Sequence, residues 1–506
     1  MTRRGHRKKR VANQIRQLPW RDVRNGYAPA EILSGDQIET IIETALDVLA
    51  TQGMRFLEPS SRDIMREAGA DIDDAEQTVR FDPALVREKL RLAPAEFDLR
   101  ARNPAHDLTL GSNRIVFTSV GGPAFCSDLD KGRRPGNYEE MCDYLRIVQS
   151  LNIVHQEGGG PFEAMDLPAA TRHLDLYLAQ YRLLDKNCQA YALGRERTID
   201  AIEMACIVLG VDRAALAERP GVLAIINTNS PMQLDIPMTE AVTELASAGQ
   251  ACCITPFTLA GSMSPATLAG TLMQQTAEVL AVATFAQTVK AGAPIVYGSF
   301  ASNVDMQSGA PALGTPEYTK SAQASGQIAR RLGLPFRSSN TTVSNCVDAQ
   351  AAFESQMSLW GSVMGHANLV YHAAGWLEGG LTASFEKLIV DAEMLQMIAE
   401  YLRPIEVNDD ELAVDAIAEV GPGGHHFGTS HTLERYESAF YTPILSNRQN
   451  FESWQESGSH DIAIRANSIW KQLLDEYEQP PLDAAIEDQL VAYADKRRPV
   501  LMAHAS

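Results

Sequence analysis

The chain has 506 residues, 45% of them hydrophobic, enough for one large barrel with additions or for two or three domains. Acidic side chains outnumber basic ones, 64 to 44, and the net charge of −20 argues against a nucleic-acid partner, which needs a basic face. No apolar run approaches the roughly 18 residues of a membrane span, so a cytoplasmic protein is expected.

The first residues, MTRRGHRKKRVANQ, are basic with no apolar stretch behind them. They read as a solvated tail, with docking to an acidic partner as the lesser alternative, and not as a secretory signal. Residues 1–30 are expected to be loosely structured. From Ser34, Ile38, Ile41, Ile42, Ala45, Val48 and Leu49 recur at helical spacing, and Gly53 stands where such a helix ends. Asp82-Pro83 opens a second helix with a cap and a first-turn proline. The alternation FDLRARN…DLTLGSN over residues 95–113 suggests a hairpin. We take 1–110 as an N-terminal cap segment.

A rhythm then begins. Short apolar runs at Ile115–Thr118, Ile153–Gln156, Asn187–Ala192, Val222–Asn227, Ala251–Thr255, Pro294–Gly298, Pro335–Ser339 and Asn368–His372 alternate with helical patterns. Asn137, Ser264-Pro265, Thr315-Pro316 and Asp348 are helix starts, and Gly333 a helix end. Strands separated by helices of this length make βαβ units and a parallel sheet. Eight units predict an α/β fold, a (β/α)8 TIM barrel over 111–403, with an open doubly wound sheet as the alternative. Neither a G-x-G-x-x-G after the first strand nor a P-loop appears, which removes the usual support for nucleotide binding. Residues 404–506 form a C-terminal helical extension. Its Trp454, Trp470 and Tyr477 must pack on the barrel or on another subunit, which suggests a homo-oligomer.

The seven cysteines are scattered and odd in number, against a disulfide framework. His425, His426 and His431 cluster with no cysteine nearby, and no metal site is expected.

In a parallel barrel the chemistry collects where the strands end. Those ends supply amides, hydroxyls and aromatic rings, with Glu157 and Glu378 as the nearby carboxylates. No Ser-His-Asp order and no strand-end lysine stands out. An uncharged aromatic rim beside one or two carboxylates suits a compact organic cation, held over ring faces. Tyr191, Phe257, Phe300, Tyr371, Trp376 and Phe427 are the candidate rings, and each also fits a core role. His372 also fits a structural strand-end histidine. His425 and His426 follow glycines and are placed to close over the mouth or to be plain loop residues.

Several blocks resemble one family. They are GGPAF from 121, TPFTLAGSMSPATLAG from 255, APIVYGSF from 293, VDAQAAFESQMSLWGSVMGHANLVYHAAGWLEGGLTASFEKLIVDAEML from 347 and VGPGGHHFGTSHT from 420. In this order, over nearly the whole chain, they resemble the trimethylamine methyltransferase family. The resemblance implies a TIM barrel and methyl transfer from a methylated amine to the cobalt of a separate, cognate corrinoid protein, so that cobalamin is supplied by the partner and not held permanently. Founding members carry a pyrrolysine in the barrel loop that here reads Asn340-Thr341-Thr342-Val343-Ser344. The chain therefore resembles the non-pyrrolysine branch, whose members act on quaternary amines such as glycine betaine.

Strand-end position together with this resemblance gives the candidate site. Asn340, Thr342, His372 and Glu378 are the catalytic candidates. Glu157, Tyr191, Asn229, Phe257, Trp376, His425 and Phe427 are the substrate-binding ones. A trimethylammonium is expected to face Trp376 and Phe427, with a glutamate supplying negative potential. A carboxylate needs donors, for which Asn229, Asn340, Thr342, the amides near Gly424 and a protonated His372 are available. The competing reading is a barrel that senses quaternary amines without catalysis.

Overall fold

The structure is a computed structural model that describes residues 15–504. The basic residues 3–10 lie outside the described residues.

Eight parallel strands form the centre: β1 (Arg114–Ser119), β2 (Gln156–Glu157), β3 (Asn187–Cys188), β4 (Leu223–Ile226), β5 (Ala251–Ile254), β6 (Ile295–Gly298), β7 (Phe336–Ser339) and β8 (Leu369–Ala374). Their order around the ring is β3-β2-β1-β8-β7-β6-β5-β4. The remaining gap is bridged where Ala190 N donates to Leu223 O at 2.9 Å, so the barrel is nearly closed. After each strand comes a principal outer helix: α1 (Tyr138–Ser150), α2 (Arg172–Leu183), α3 (Arg195–Leu209), α4 (Ile236–Ser247), α5 (Leu268–Val289), α6 (Pro316–Leu332), α7 (Ala349–Met364) and α8 (Phe385–Tyr401).

Both faces of these strands are buried, and the side chains divide by the period of two. Cys252 and Ile254 of β5 pack outward in the main core under the helices. Ala251 and Cys253 pack inward with Val116, Leu223, Val296 and Leu369. A hairpin of Glu96–Leu99 against Leu108–Gly111 adds Phe97, Leu99, Leu108 and Leu110 to that inner cluster. It plugs the N-terminal end of the barrel, and the strand C-termini remain the accessible end.

Local punctuation works largely as the sequence suggests. Ser34 and Gln37 form a reciprocal capping box on the helix Gly35–Thr51. Asp82, Asn137, Thr315 and Asp348 cap their helices, and Gly333 closes α6 in the left-handed region. At α5 the cap is Thr267, not Ser264, whose hydroxyl meets Thr271 Oγ1 at 2.7 Å. The start of the described chain is also more ordered than expected. Val23-Arg24 pairs antiparallel with Ile115-Arg114, and the Asn25 side-chain amide donates to Val363 O at 2.8 Å.

Beside the open end a small sheet joins Trp376–Leu377, Thr382–Ser384, Phe125–Asp128 and Gly132–Pro135. In the extension, Trp470 packs on Phe385 and donates to Glu386 Oε1 at 2.9 Å, and Tyr477 OH donates to Leu183 O at 2.9 Å. Trp454 stays within its own segment, donating to His460 O. Among the described residues no helix is long and apolar enough to cross a membrane.

Candidate active site

A cavity of about 520 Å³ opens at the C-terminal ends of the strands. Its aromatic wall comes from Tyr191, Phe257, Phe300, Tyr371, His372 and Trp376. Gly121, Gly122, Gly158, Gly159, Gly379 and Gly380 line it as bare backbone. A Cβ on Gly121 would meet Gly158 O at 1.9 Å, and one on Gly380 would meet the Trp376 ring at 2.5 Å. The walls are as thin as a chain can make them.

Among the described residues one charged side chain lines the cavity. On β7 the outward residue is Phe336, so Arg337 turns inward. It is 1% exposed and has no carboxylate partner among the described residues. Its guanidinium lies 5.0 Å from the Tyr371 ring centre and 5.4 Å from that of Phe300. Nη1 donates to Ser299 O at 3.0 Å, while Nε has no acceptor. Burial lowers its pKa, yet a guanidinium keeps its proton in proteins. The sequence reading passed over this residue, although an arginine inside a two-sided buried strand is itself a signal.

His372 reaches the cavity through an irregularity. Between the pairs Val370–Phe117 and Ala374–Ser119, β8 carries more residues than β1, and His372 takes φ = 53° in that bulge. Its ring lies 3.9 Å from Tyr371 and 4.2 Å from Trp376, centre to centre, and Nδ1 is unpaired. Burial, and then the charge of Arg337, hold its pKa well below the ordinary histidine value. That direction favours the neutral imidazole and works against the protonated donor expected from the sequence.

Of the other sequence candidates, the structure brings Tyr191, Phe257 and Trp376 to the cavity. Asn340 and Thr342 lie behind it. Asn340 Nδ2 donates to Ala373 O at 2.9 Å, and Thr342 Oγ1 donates to Glu354. Thr342 O then accepts the Trp376 indole N–H at 3.0 Å, so this loop positions the ring. Glu157 lies beneath the glycine wall, accepting from Gly159 N and Gly160 N at 2.9 Å each and from Gln180. Burial raises its pKa to about 7 against the pull of those donors. Glu378 is paired with Arg133 at 2.7 Å, outside the cavity lining. Asn229 is exposed and bonded to Asp235. His425 and Phe427 stand on an exposed loop of the extension, Phe427 82% exposed, apart from the cavity.

Fold and cavity together define a (β/α)8-barrel protein whose cavity at the strand ends is aromatic, apolar and lined by one cationic side chain among the described residues. The sequence profile of the family described as trimethylamine methyltransferase (MTTB) matches residues 1–501, and the chain belongs to that family. It is 35% identical to the glycine betaine methyltransferase of Desulfitobacterium hafniense, over 92% of this chain and 97% of that one. It is 27% identical to trimethylamine methyltransferase MttB2 of Methanosarcina mazei, over 92% and 94%. The crystal structure of the Methanosarcina barkeri monomethylamine methyltransferase MtmB superposes with a TM-score of 0.50 at 10% identity, over 88% of each chain, and shares the fold. These relatives support a methyltransferase role.

Proposed function

We propose that the protein takes a methyl group from a zwitterionic quaternary amine of the betaine type and passes it to the Co(I) of a separate corrinoid protein. One observation carries the choice of substrate: Arg337, a fully buried cation without a counter-ion among the described residues, at the wall of an aromatic cavity. An unpaired buried charge costs several kcal/mol. A carboxylate bound against the guanidinium offsets that cost. The trimethylammonium end then stands over Trp376, Phe300 and Phe257, whose ring faces attract it. Among the described residues no carboxylate lines the cavity, and Glu157 beneath its glycine wall is only partly ionised near neutral pH, so a cation lacking its own negative group meets the field of Arg337 largely uncompensated. The site is therefore read as one for zwitterions, in preference to choline or trimethylamine.

The glycine-lined mouth fits a broad flat ring, because no side chain stands in its way at those six positions. When the partner is docked, its Co(I) supplies the nucleophile for a single displacement. The chain's own residues fix both ends of the substrate and keep water out. The C–N electron pair stays on nitrogen, the tertiary amine leaves neutral, and no general acid is needed. A neutral His372 is consistent with that.

Methyl-Co(III) formation, followed by absorbance with Co(I) cobalamin and a panel of amines, tests the reading. Arg337→Met should raise KM for betaines about ten- to a hundredfold, the loss of charge-assisted hydrogen bonds of ~1.5–3 kcal/mol, and lower it for choline, whose ammonium no longer meets that charge. The thermal midpoint should hold or rise, because a buried unpaired charge is gone. Equal losses for betaines and choline would overturn the assignment.

A further inference from the structure

Behind the aromatic wall lies a buried ion pair that the proposed chemistry does not use. Three rings of the wall, Tyr371, His372 and Trp376, stand close together at the exit of β8. The ladder that would fix them is broken there: β8 and β1 lose register between Val370 and Ala374, His372 takes φ = 53° and Gly375 takes φ = 103°. Other bonds hold this stretch. Asn340 donates twice, from its backbone N–H to Tyr371 O at 3.1 Å and from its side-chain amide to Ala373 O at 2.9 Å. Gly375 O accepts from Ser384 N at 2.9 Å. A Cβ on Gly375 would meet Tyr144 OH at 1.9 Å, so only glycine fits this joint. Its N–H turns out toward α8 and donates to Asp391 Oδ2 at 2.8 Å.

Asp391 and Lys387 sit one turn apart on α8, wholly buried and paired with each other. Lys387 Nζ also donates to Ser355 Oγ of α7 at 2.8 Å. Ser355 follows Glu354, which holds Thr342 and Val343 N, and Thr342 O holds the Trp376 indole. The supports from α7 and α8 therefore meet at Lys387. A buried ion pair is poor evidence of stability, because apolar residues of like volume often serve as well or better. What they cannot supply is an acceptor for one particular backbone N–H. We propose that Asp391 is a positioning residue for the aromatic wall and that Lys387 aims it: through the Gly375 N–H the pair sets the angle at which His372 and Trp376 face the substrate's ammonium. That the wall meets an ammonium rests on the betaine reading, but the way the wall is held does not.

Two double variants separate positioning from stability, and both carry Lys387→Met so that no lone cation is left buried. Adding Asp391→Leu removes the acceptor, whereas adding Asp391→Asn keeps a carbonyl oxygen for the Gly375 N–H. The full chain labelled with 5-fluorotryptophan has one fluorine each at Trp20, Trp360, Trp376, Trp454 and Trp470, and Trp376→Phe assigns the resonance of interest. In the leucine variant the Trp376 resonance should shift and broaden while the other four stay, and in the asparagine variant it should return close to its wild-type position. Affinity for glycine betaine, measured by calorimetry on the chain alone, should fall about tenfold in the leucine variant, the worth of one buried hydrogen bond, and largely recover in the asparagine variant. A Trp376 resonance unmoved in the leucine variant, or moved alike in both, overturns the proposal. Five resonances shifting together would show a support of the whole fold and would overturn it too. If the wild type binds no betaine while Trp376 follows the expected pattern, the positioning stands and the substrate reading falls.

Discussion

Three side chains around the cavity show how burial decides chemistry. Arg337 has no carboxylate beside it among the described residues, His372 is held toward its neutral form, and Glu157 is pushed to about 7. For Glu157 the sign is definite. A carboxyl whose pKa is raised on folding adds stability below its unfolded value near 4.5, and that contribution is lost as pH rises through about 7. Above that pH the ionised carboxylate beneath Gly158-Gly159 adds negative potential near the bound ammonium. KM for a betaine should therefore fall as pH rises from 6 to 8, and Glu157→Gln should flatten the profile. A profile identical in wild type and variant would remove Glu157 from the electrostatics of the site. Trp376→Ala should weaken substrate binding by about 1–2 kcal/mol, the range for a desolvated cation–π contact, measured as KM with the fold checked by circular dichroism. Trp376 and Phe257 were legible because they follow strand ends directly. Arg337 was hidden in plain view, since a strand pattern says that a residue is buried and not which charge it must meet.

At the scale of elements, the loop from Asn340 to Ser344 shows where strand-end reasoning stops. Its position after β7 was legible, but the direction of its hydroxyls was not. They turn away from the cavity because α7 returns Glu354 beneath them, taking Thr342 Oγ1 and Val343 N at 2.9 Å for the latter. The result is a splint: α7 holds the loop, and the loop holds the indole. Glu354→Ala should raise KM several-fold without touching the cavity and should lower the unfolding free energy by about 1–3 kcal/mol, the cost of stranded buried donors. Denaturant titration and steady-state kinetics on the same preparation check both. An unchanged KM would mean that Trp376 keeps its place without the loop. The β8 bulge was equally out of reach, because two additional residues in one strand leave no mark in a hydrophobic pattern.

For the whole molecule, the eightfold rhythm was readable because each unit repeats the same local signals: an apolar run, a cap and a helix. Contacts between distant parts leave no such trace, and the last helix, Ala484–His504, is the clearest case. It returns across some 300 residues of sequence to the start of the barrel. Arg498 grips Asp175 with two bonds of 2.7 and 2.8 Å, and Tyr493 OH and Arg497 both donate to Asp200. Asp200 is fully buried and also meets His173 Nε2 at 2.9 Å. The edge of His173 faces Tyr177, whose hydroxyl accepts from Tyr191 N at 3.1 Å, and Tyr191 is cavity wall. The helix therefore fastens α2 and α3 at the side of the barrel where β3 and β4 are joined by a single backbone bond. Arg497→Met leaves Asp200 buried with one cation fewer, a change of the kind that costs several kcal/mol. Amide hydrogen exchange in α2 and α3 should then quicken while β6 to β8 stay protected, and KM should rise more than kcat falls, because the Tyr191 wall loosens and the reacting centre is untouched. Faster exchange spread evenly over the barrel would instead mean that the helix contributes only to global stability and has no particular hold on the cavity.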